Sequence, residues 1–223
     1  MDNKIVITKM NKYYGRKQAL FNIDLTIEKG MFGLLGRNGA GKTTLMKTLA
    51  AIHKKKNGRI TVCGVPIEKE SEIRAMTGYL PQDFSMYPNM RTDEALDYLG
   101  ALSGIPKDER KKRVDSLLRK VNLNEQRRKK VKELSGGMKR RLGIAQALIH
   151  DPKVLIVDEP TAGLDPEERI RFRNLLCEVA ENRIVILSTH IVADIEASCE
   201  QVAIMDSGKI LWNGTVQQLL DNA

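Results

Sequence analysis

The chain is short of aromatic side chains, at 4% of its 223 residues. Few large rings are available, so any ring lying near a motif carries weight. Its three cysteines, Cys63, Cys177 and Cys199, are odd in number and far apart, with no CxxC pair. That excludes a disulfide framework, a thiolate metal site and a dithiol redox centre, and the cysteines read as reduced and structural. No stretch approaches the roughly 18 uninterrupted apolar residues of a membrane-spanning helix. The N-terminal Met1-Asp2-Asn3-Lys4 has no apolar core of a signal peptide, so a soluble, cytosolic chain is expected. Internal repeats, low-complexity tracts and long linkers are also missing. This predicts one large domain, or a domain with a sizeable inserted lobe.

What is present begins with a core: hydrophobic residues make up 42% of the chain. The formal net charge is +9, and its location matters more than its size. Residues 107–141 hold 15 Lys and Arg against 5 Asp and Glu, so this one stretch carries the whole surplus. Such a lobe suits nucleic acid or the anionic inner face of a membrane, and it equally suits a solvated helix surface.

The motif with the clearest chemistry is Gly36-Arg37-Asn38-Gly39-Ala40-Gly41-Lys42-Thr43. An apolar run, residues 31–35, precedes it, and a helical pattern from Thr44 follows, so it reads as strand, glycine loop, helix. Glycines let successive backbone N–H groups point inward, and the helix adds the positive end of its dipole: a cradle for phosphates. Lys42 would reach the β- and γ-phosphates, and Thr43 would place its hydroxyl on Mg²⁺. Upstream, residues 4–9 and 20–28 alternate as half-buried antiparallel strands do. Between them lie Tyr13 and Tyr14, either packed at a turn or, for one of them, stacked on a nucleotide base.

Beyond the loop, strands are expected before Gly64 and near Gly78-Tyr79-Leu80, the latter ending in Pro81-Gln82. A helical lobe follows from about Thr92 to Val121, with stripes at Ala95, Leu96, Leu99, Leu102 and at Val114, Leu117, Leu118, Val121. In Leu134-Ser135-Gly136-Gly137-Met138, Ser135 is placed to cap a helix running from Lys139 to His150. Its two glycines leave the N-terminal amides bare, a second anion site. Residues 154–157 form an apolar strand ending in Asp158 and Glu159. Neighbours at a strand end point in opposite directions, so Asp158 would hold the Mg²⁺ shell and Glu159 face an attacking water. Residues 161–166 turn into another helix, and the buried strand 184–189 ends at His190, facing the same region. His53 and His150 read as structural. A closing hairpin at 202–205 and 209–212 precedes a short helix at 215–221.

The set, in this order, resembles the ATP-binding subunit of an ABC transporter over essentially the whole chain. Residues 36–43 match its Walker A loop, Gln82 its Q-loop glutamine, 134–138 its signature motif and 154–158 its Walker B strand. Glu159 matches the catalytic glutamate, Asp165 the D-loop aspartate and His190 the switch histidine. Met138 stands where Gln is usual, Arg37 where Pro or Ser is commoner, and Ala162-Gly163-Leu164-Asp165 where Ser-Ala-Leu-Asp is frequent.

The resemblance implies an α/β fold: a P-loop NTPase core with a mainly parallel sheet, an N-terminal antiparallel β-subdomain and an inserted α-helical subdomain. The single ABC ATPase domain, 1–223, would divide into a RecA-like core plus β-subdomain at about 1–90 and 151–223 and a helical subdomain at about 91–150. ATP and Mg²⁺ are the implied cofactors. Tyr14, Gly36, Arg37, Asn38, Gly39, Ala40, Gly41, Lys42, Thr43 and Thr44 would hold the nucleotide from one side. Ser135, Gly136 and Gly137 of a second subunit would hold it from the other, since two such subunits meet head to tail, and Asp165 also counts among the nucleotide-binding residues. Thr43, Gln82 and Asp158 would serve the metal; Glu159, His190 and Gln82 would serve catalysis. Glu159 would polarise the water, and His190 would contact the γ-phosphate.

The function implied is an ATPase motor that drives a separate transmembrane permease, with details closest to bacterial exporters of the ABC-2 kind. Such a subunit is cytoplasmic and peripheral on the inner face of the membrane, its helical lobe toward the membrane, where the basic cluster would meet anionic lipid. The alternative is a soluble ABC ATPase acting on nucleic acid or translation through the same basic lobe. Against it stand a single ATPase unit, no long coiled-coil insertion and no zinc-binding cysteines, so nucleic acid is not the expected partner. A P-loop kinase would need no signature motif.

Overall fold

The computed structural model describes residues 3–161 and 163–221. The chain opens with two long antiparallel strands, β1 (Lys4–Tyr14) and β2 (Lys17–Glu28), then β3 (Gly30–Leu35) and helix α1 (Lys42–Leu49). Next come β4 (Asn57–Val62), β5 (Val65–Pro66), α2 (Glu70–Met76) and β6 (Thr77–Leu80). Helices α3 (Thr92–Leu102), α4 (Lys107–Lys120) and α5 (Gly136–Leu148) follow, with a short 3-10 turn at Val131–Glu133. The chain closes through β7 (Val154–Asp158), α6 (Pro166–Ala180), β8 (Ile184–Thr189), α7 (Val192–Glu196), β9 (Gln201–Asp206), β10 (Lys209–Thr215) and α8 (Val216–Asp221).

The strands form two sheets. One is antiparallel, in the order β2-β1-β4-β5; the other has six strands in the order β10-β9-β3-β8-β7-β6. All neighbours in the six-stranded sheet pair in parallel except β10 with β9. Because strand side chains alternate between faces, β7 and β8 feed two cores. Val154, Ile156, Ile184 and Ile186 pack with β1, β2, β4 and α1. Leu155, Val157, Val185 and Leu187 pack with α3 to α6. Burial on both faces is why these strands read as continuous apolar runs.

Some elements depart from the sequence pattern. The first strand continues through Tyr14 instead of ending at Lys9, so Tyr13 and Tyr14 lie within β1 and not at a turn. A register shift between Ile7 and Met10 breaks the alternation, with Lys9 at φ +46. Asn22, at φ +48, interrupts β2 in the same way, and β2 begins at Lys17 instead of Leu20. Helices α2 and α7 escape a periodicity reading because they are too short for a stripe; α2 buries only Ile73. The helical pattern from Thr92 to Val121 resolves into α3 and α4, separated at Gly104, whose φ is +74. The helix after Ser135 starts at Gly136, three residues before Lys139.

Candidate active site

The glycine loop leaves β3 and enters α1, whose N-cap, Gly41, has φ +104 and provides no side-chain cap. The amides of the first turn are thus left to a ligand. Gly36 has a packing reason as well: a Cβ there would lie 2.3 Å from the Met205 carbonyl oxygen of β9. Lys42 is buried, 5% exposed, and its ammonium donates to the Gly36 carbonyl at 2.6 Å and the Arg37 carbonyl at 3.2 Å. The same Nζ lies 3.0 Å from Glu159 Oε1.

Strand β7 delivers both acids. Asp158 is fully buried, and its Oδ1 accepts from the Ser188 hydroxyl at 2.7 Å, across the β7–β8 pair. Its Oδ2 is buried with no hydrogen-bond partner. Glu159 has φ +47, a conformation L-residues adopt at a cost. Its N–H donates to the Ser188 carbonyl at 3.1 Å. Its Oε2 lies 2.8 Å from His190 Nδ1; an ionised carboxylate only accepts, so Nδ1 carries the proton. Glu159 therefore spans from the loop lysine to the end of β8.

A cleft of about 380 Å³ is lined by residues 37–39 and 41–44, Gln82 and Glu159. Ala40 lies beneath the loop, 3% exposed. Other expected residues stand apart in the single chain. Tyr14 packs edge-on to His53, ring centroids 5.6 Å apart, with Lys12 Nζ 4.9 Å from its centroid. Ser135 caps α5, accepting from the Met138 N–H at 3.2 Å, and a Cβ on Gly136 would meet only open space. Met138 turns its side chain onto the core. Asp165 caps α6, accepting from the Glu168 N–H at 2.8 Å. Of the residues 162–165, Ala162 lies outside the described residues.

The residues present fit a nucleotide with Mg²⁺. The unpartnered, fully buried Asp158 Oδ2 needs a donor or a cation, because a buried carboxylate oxygen without a partner is costly. Mg²⁺ is commonly held by one or two protein oxygens plus phosphates. Among the described residues there is no cluster of three or more His, Cys, Asp or Glu that could hold a metal unaided.

Sequence reasoning missed two supports. Ser188 carries no motif signal, and only the β7–β8 register reveals its bond to Asp158. Tyr79 sits opposite Ile156 on the sheet face that carries Asp158, and its buried hydroxyl lies close to that carboxylate without a well-formed hydrogen bond. Burial and then the Asp158 charge push its phenol well above the usual tyrosine range. Burial, followed by Lys12, lowers His53, and burial lowers His150, so both favour the neutral imidazole.

Taken together, the two-layered fold, the phosphate cradle and the acids at the end of a parallel strand define a P-loop nucleoside triphosphatase. The profile of the family described as "ABC transporter" matches residues 20–162. An uncharacterized ABC transporter ATP-binding protein, YxlF of Bacillus subtilis, is 40% identical over 214 residues, 96% of this chain and 71% of its own length. The Nod factor export ATP-binding protein I of Cupriavidus pinatubonensis is 36% identical over 219 residues, 97% of this chain and 67% of its own. Among solved structures, cbiO1 from Clostridium perfringens, part of the ABC transporter complex cbiONQ, superposes with a TM-score of 0.91. It shares 30% identity, over 99% of this chain and 92% of that one. The chain belongs to the ABC transporter ATP-binding proteins, the ATPases coupled to transport.

Proposed function

We propose that this chain is the motor of an exporter: two ATPase subunits close head to tail on ATP and drive a separate permease. One observation carries the catalytic half of this reading, the Glu159 carboxylate held between Lys42 at 3.0 Å and His190 at 2.8 Å. A buried ammonium and carboxylate this close satisfy each other. When phosphate oxygens replace Glu159 as the partner of Lys42, Oε1 is released to accept a proton from the attacking water, while His190 keeps the carboxylate oriented. Bound Mg²⁺ would neutralise charge developing on the phosphates, held through Thr43 and Asp158 with Gln82 nearby.

The N-terminus of α5, with Ser135 and Gly136 exposed and Gly137 packed against Glu168, supports the dimer, because Ser135, Gly136 and Gly137 do not line the cleft of their own chain. The second subunit's copies would complete it, whether that subunit is an identical chain or a related one. The division into core with β-subdomain and an inserted helical subdomain at about 91–150 belongs to the same proposal. Export is favoured by the Nod factor relative, whose name states that direction. Among the described residues no helix is long and apolar enough to cross a membrane; the permease of this reading is a separate partner. A cytoplasmic subunit, peripheral on the inner face and helped by its basic lobe on anionic lipid, follows from this reading.

The test uses Glu159→Gln and Ser135→Arg. Glu159→Gln should keep ATP, cut phosphate release by about 10²-fold or more, and double the mass seen by light scattering with ATP. Ser135→Arg should abolish both turnover and that dimer. A Glu159→Gln protein that hydrolyses ATP at the original rate and stays monomeric overturns the reading.

A further inference from the structure

Arg140 lies on α5, five residues beyond the Ser135 cap, and is partly buried. Its Nη1 donates to the backbone carbonyl of Glu159 at 3.2 Å. Burial pulls its guanidinium below the ordinary arginine range, opposed by the carboxylate of Asp83, the residue after Gln82. One side chain therefore joins two segments, the signature helix and the residue bearing the catalytic carboxylate.

The bond falls where a tether has most leverage. Glu159 sits at φ +47, and among the described residues no helix or strand follows it before α6. Its N–H is held by Ser188, leaving its carbonyl as the backbone group that sets the direction of the next peptide. The neighbouring Arg141 locks α5 from the other side, donating to the carbonyls of Val121 and Asn122 and pairing with Glu168 of α6. A helix clamped in this way moves as a unit, so a displacement of its first turn reaches Arg140.

We propose that Arg140 is a positioning residue that ties the Glu159 carboxylate to the signature helix of the same subunit. The inference rests on the catalytic reading of Glu159 given above. Its consequence is communication between sites: the signature turn belongs to one ATP site of a head-to-tail dimer and Glu159 to the other, so engagement at one sets the geometry at the other. Arg140 does not line the cleft, so its loss should spare ATP binding.

The experiment uses Arg140→Met, which keeps the apolar stem and removes the donors, with Arg140→Lys as the conservative variant. Arg140→Gln replaces the Met variant if that one does not fold. Turnover should fall about tenfold or more while KM for ATP changes less than about threefold, and Arg140→Lys should recover most of the loss. In nucleotide-free protein labelled with ¹⁵N-histidine, three imidazoles are present, and His190→Asn assigns the one bonded to Glu159. That signal should shift in Arg140→Met and return toward its original position in Arg140→Lys. A His190 signal that stays in place, or turnover within about twofold of the parent, overturns the proposal. Failure of the catalytic reading shows separately, as full activity in Glu159→Gln, and the nucleotide-free spectrum still reports whether Arg140 positions Glu159.

Discussion

Glu159 carries the largest concentration of cost at a single residue: a positive φ, near-complete burial and a charge. Each is offset locally, by the Ser188 carbonyl, Lys42 and His190. Asp158 differs because its Oδ2 has neither a hydrogen bond nor an ion pair, whereas Glu159 Oε1 meets Lys42 and Oε2 meets His190, a difference that suits the proposed metal-facing and water-facing roles. At Cys199 burial is the dominant influence, ahead of the Ser198 hydroxyl and the neighbouring Cys177 and Asp194. Cys199 packs under β3, and burial pushes its thiol from an ordinary 9.0 up to about 12. A raised acid pKa stabilises the fold fully below the unfolded value and loses that contribution as pH climbs toward the folded one. Stability should therefore fall between pH 9 and about 12, and Cys199→Ser should flatten part of that decline in urea titrations run across the window. At pH 8 the native thiol should resist alkylation, readable by mass spectrometry.

At the scale of elements, the site depends on close contacts between helix and sheet. Strand β6 carries Gly78, where an added Cβ would lie 2.1 Å from the Ala147 carbonyl oxygen of α5. A backbone atom cannot swing aside as a side chain would. Gly78→Ala should therefore push α5 off the sheet, with Ser135 and Arg140 on it, and cost about 1–3 kcal/mol in urea unfolding. Strands β7 and β8 were legible as apolar runs because both of their faces are buried. The full length of β1 was not, because its bulge resets the alternation at Lys9. Nor were α2 and α7, whose lengths of 7 and 5 residues give periodicity too little to work on.

Over the whole molecule, the basic surplus of residues 107–141 is partly spent within the fold. Arg110 pairs with Asp97, Arg113 with Glu109, Lys120 with Glu178, and Arg127 with Asp115 at 2.7 Å. Arg127 is thus a poor choice for probing a surface, since its removal would strand Asp115. Lys111, Lys112 and Arg128 are exposed. If the lobe meets anionic lipid, each contributes about 1 kcal/mol near the surface. Replacing all three by Gln should then weaken vesicle binding by about a hundredfold, and 1 M salt should do the same. Co-sedimentation with phosphatidylserine vesicles measures it; unchanged binding would assign these charges to solvation alone.

The amino-acid sequence by itself determined the parts whose chemistry is local in the chain: the glycine loop with Lys42 and Thr43, the capped α5 after Ser135, and the acids at the end of β7. Glycine spacing, a capping side chain and an apolar run act over a few residues, so adjacency in sequence is adjacency in space. Only the tertiary structure decided what those parts hold. The Lys42–Glu159–His190 chain joins residues 31 or more positions apart, Ser188 supports Asp158 from the next strand, and Arg140 reaches Glu159 from α5, 19 positions earlier. Strand order and register set those meetings, through burial on both faces of one sheet, and no local pattern encodes them.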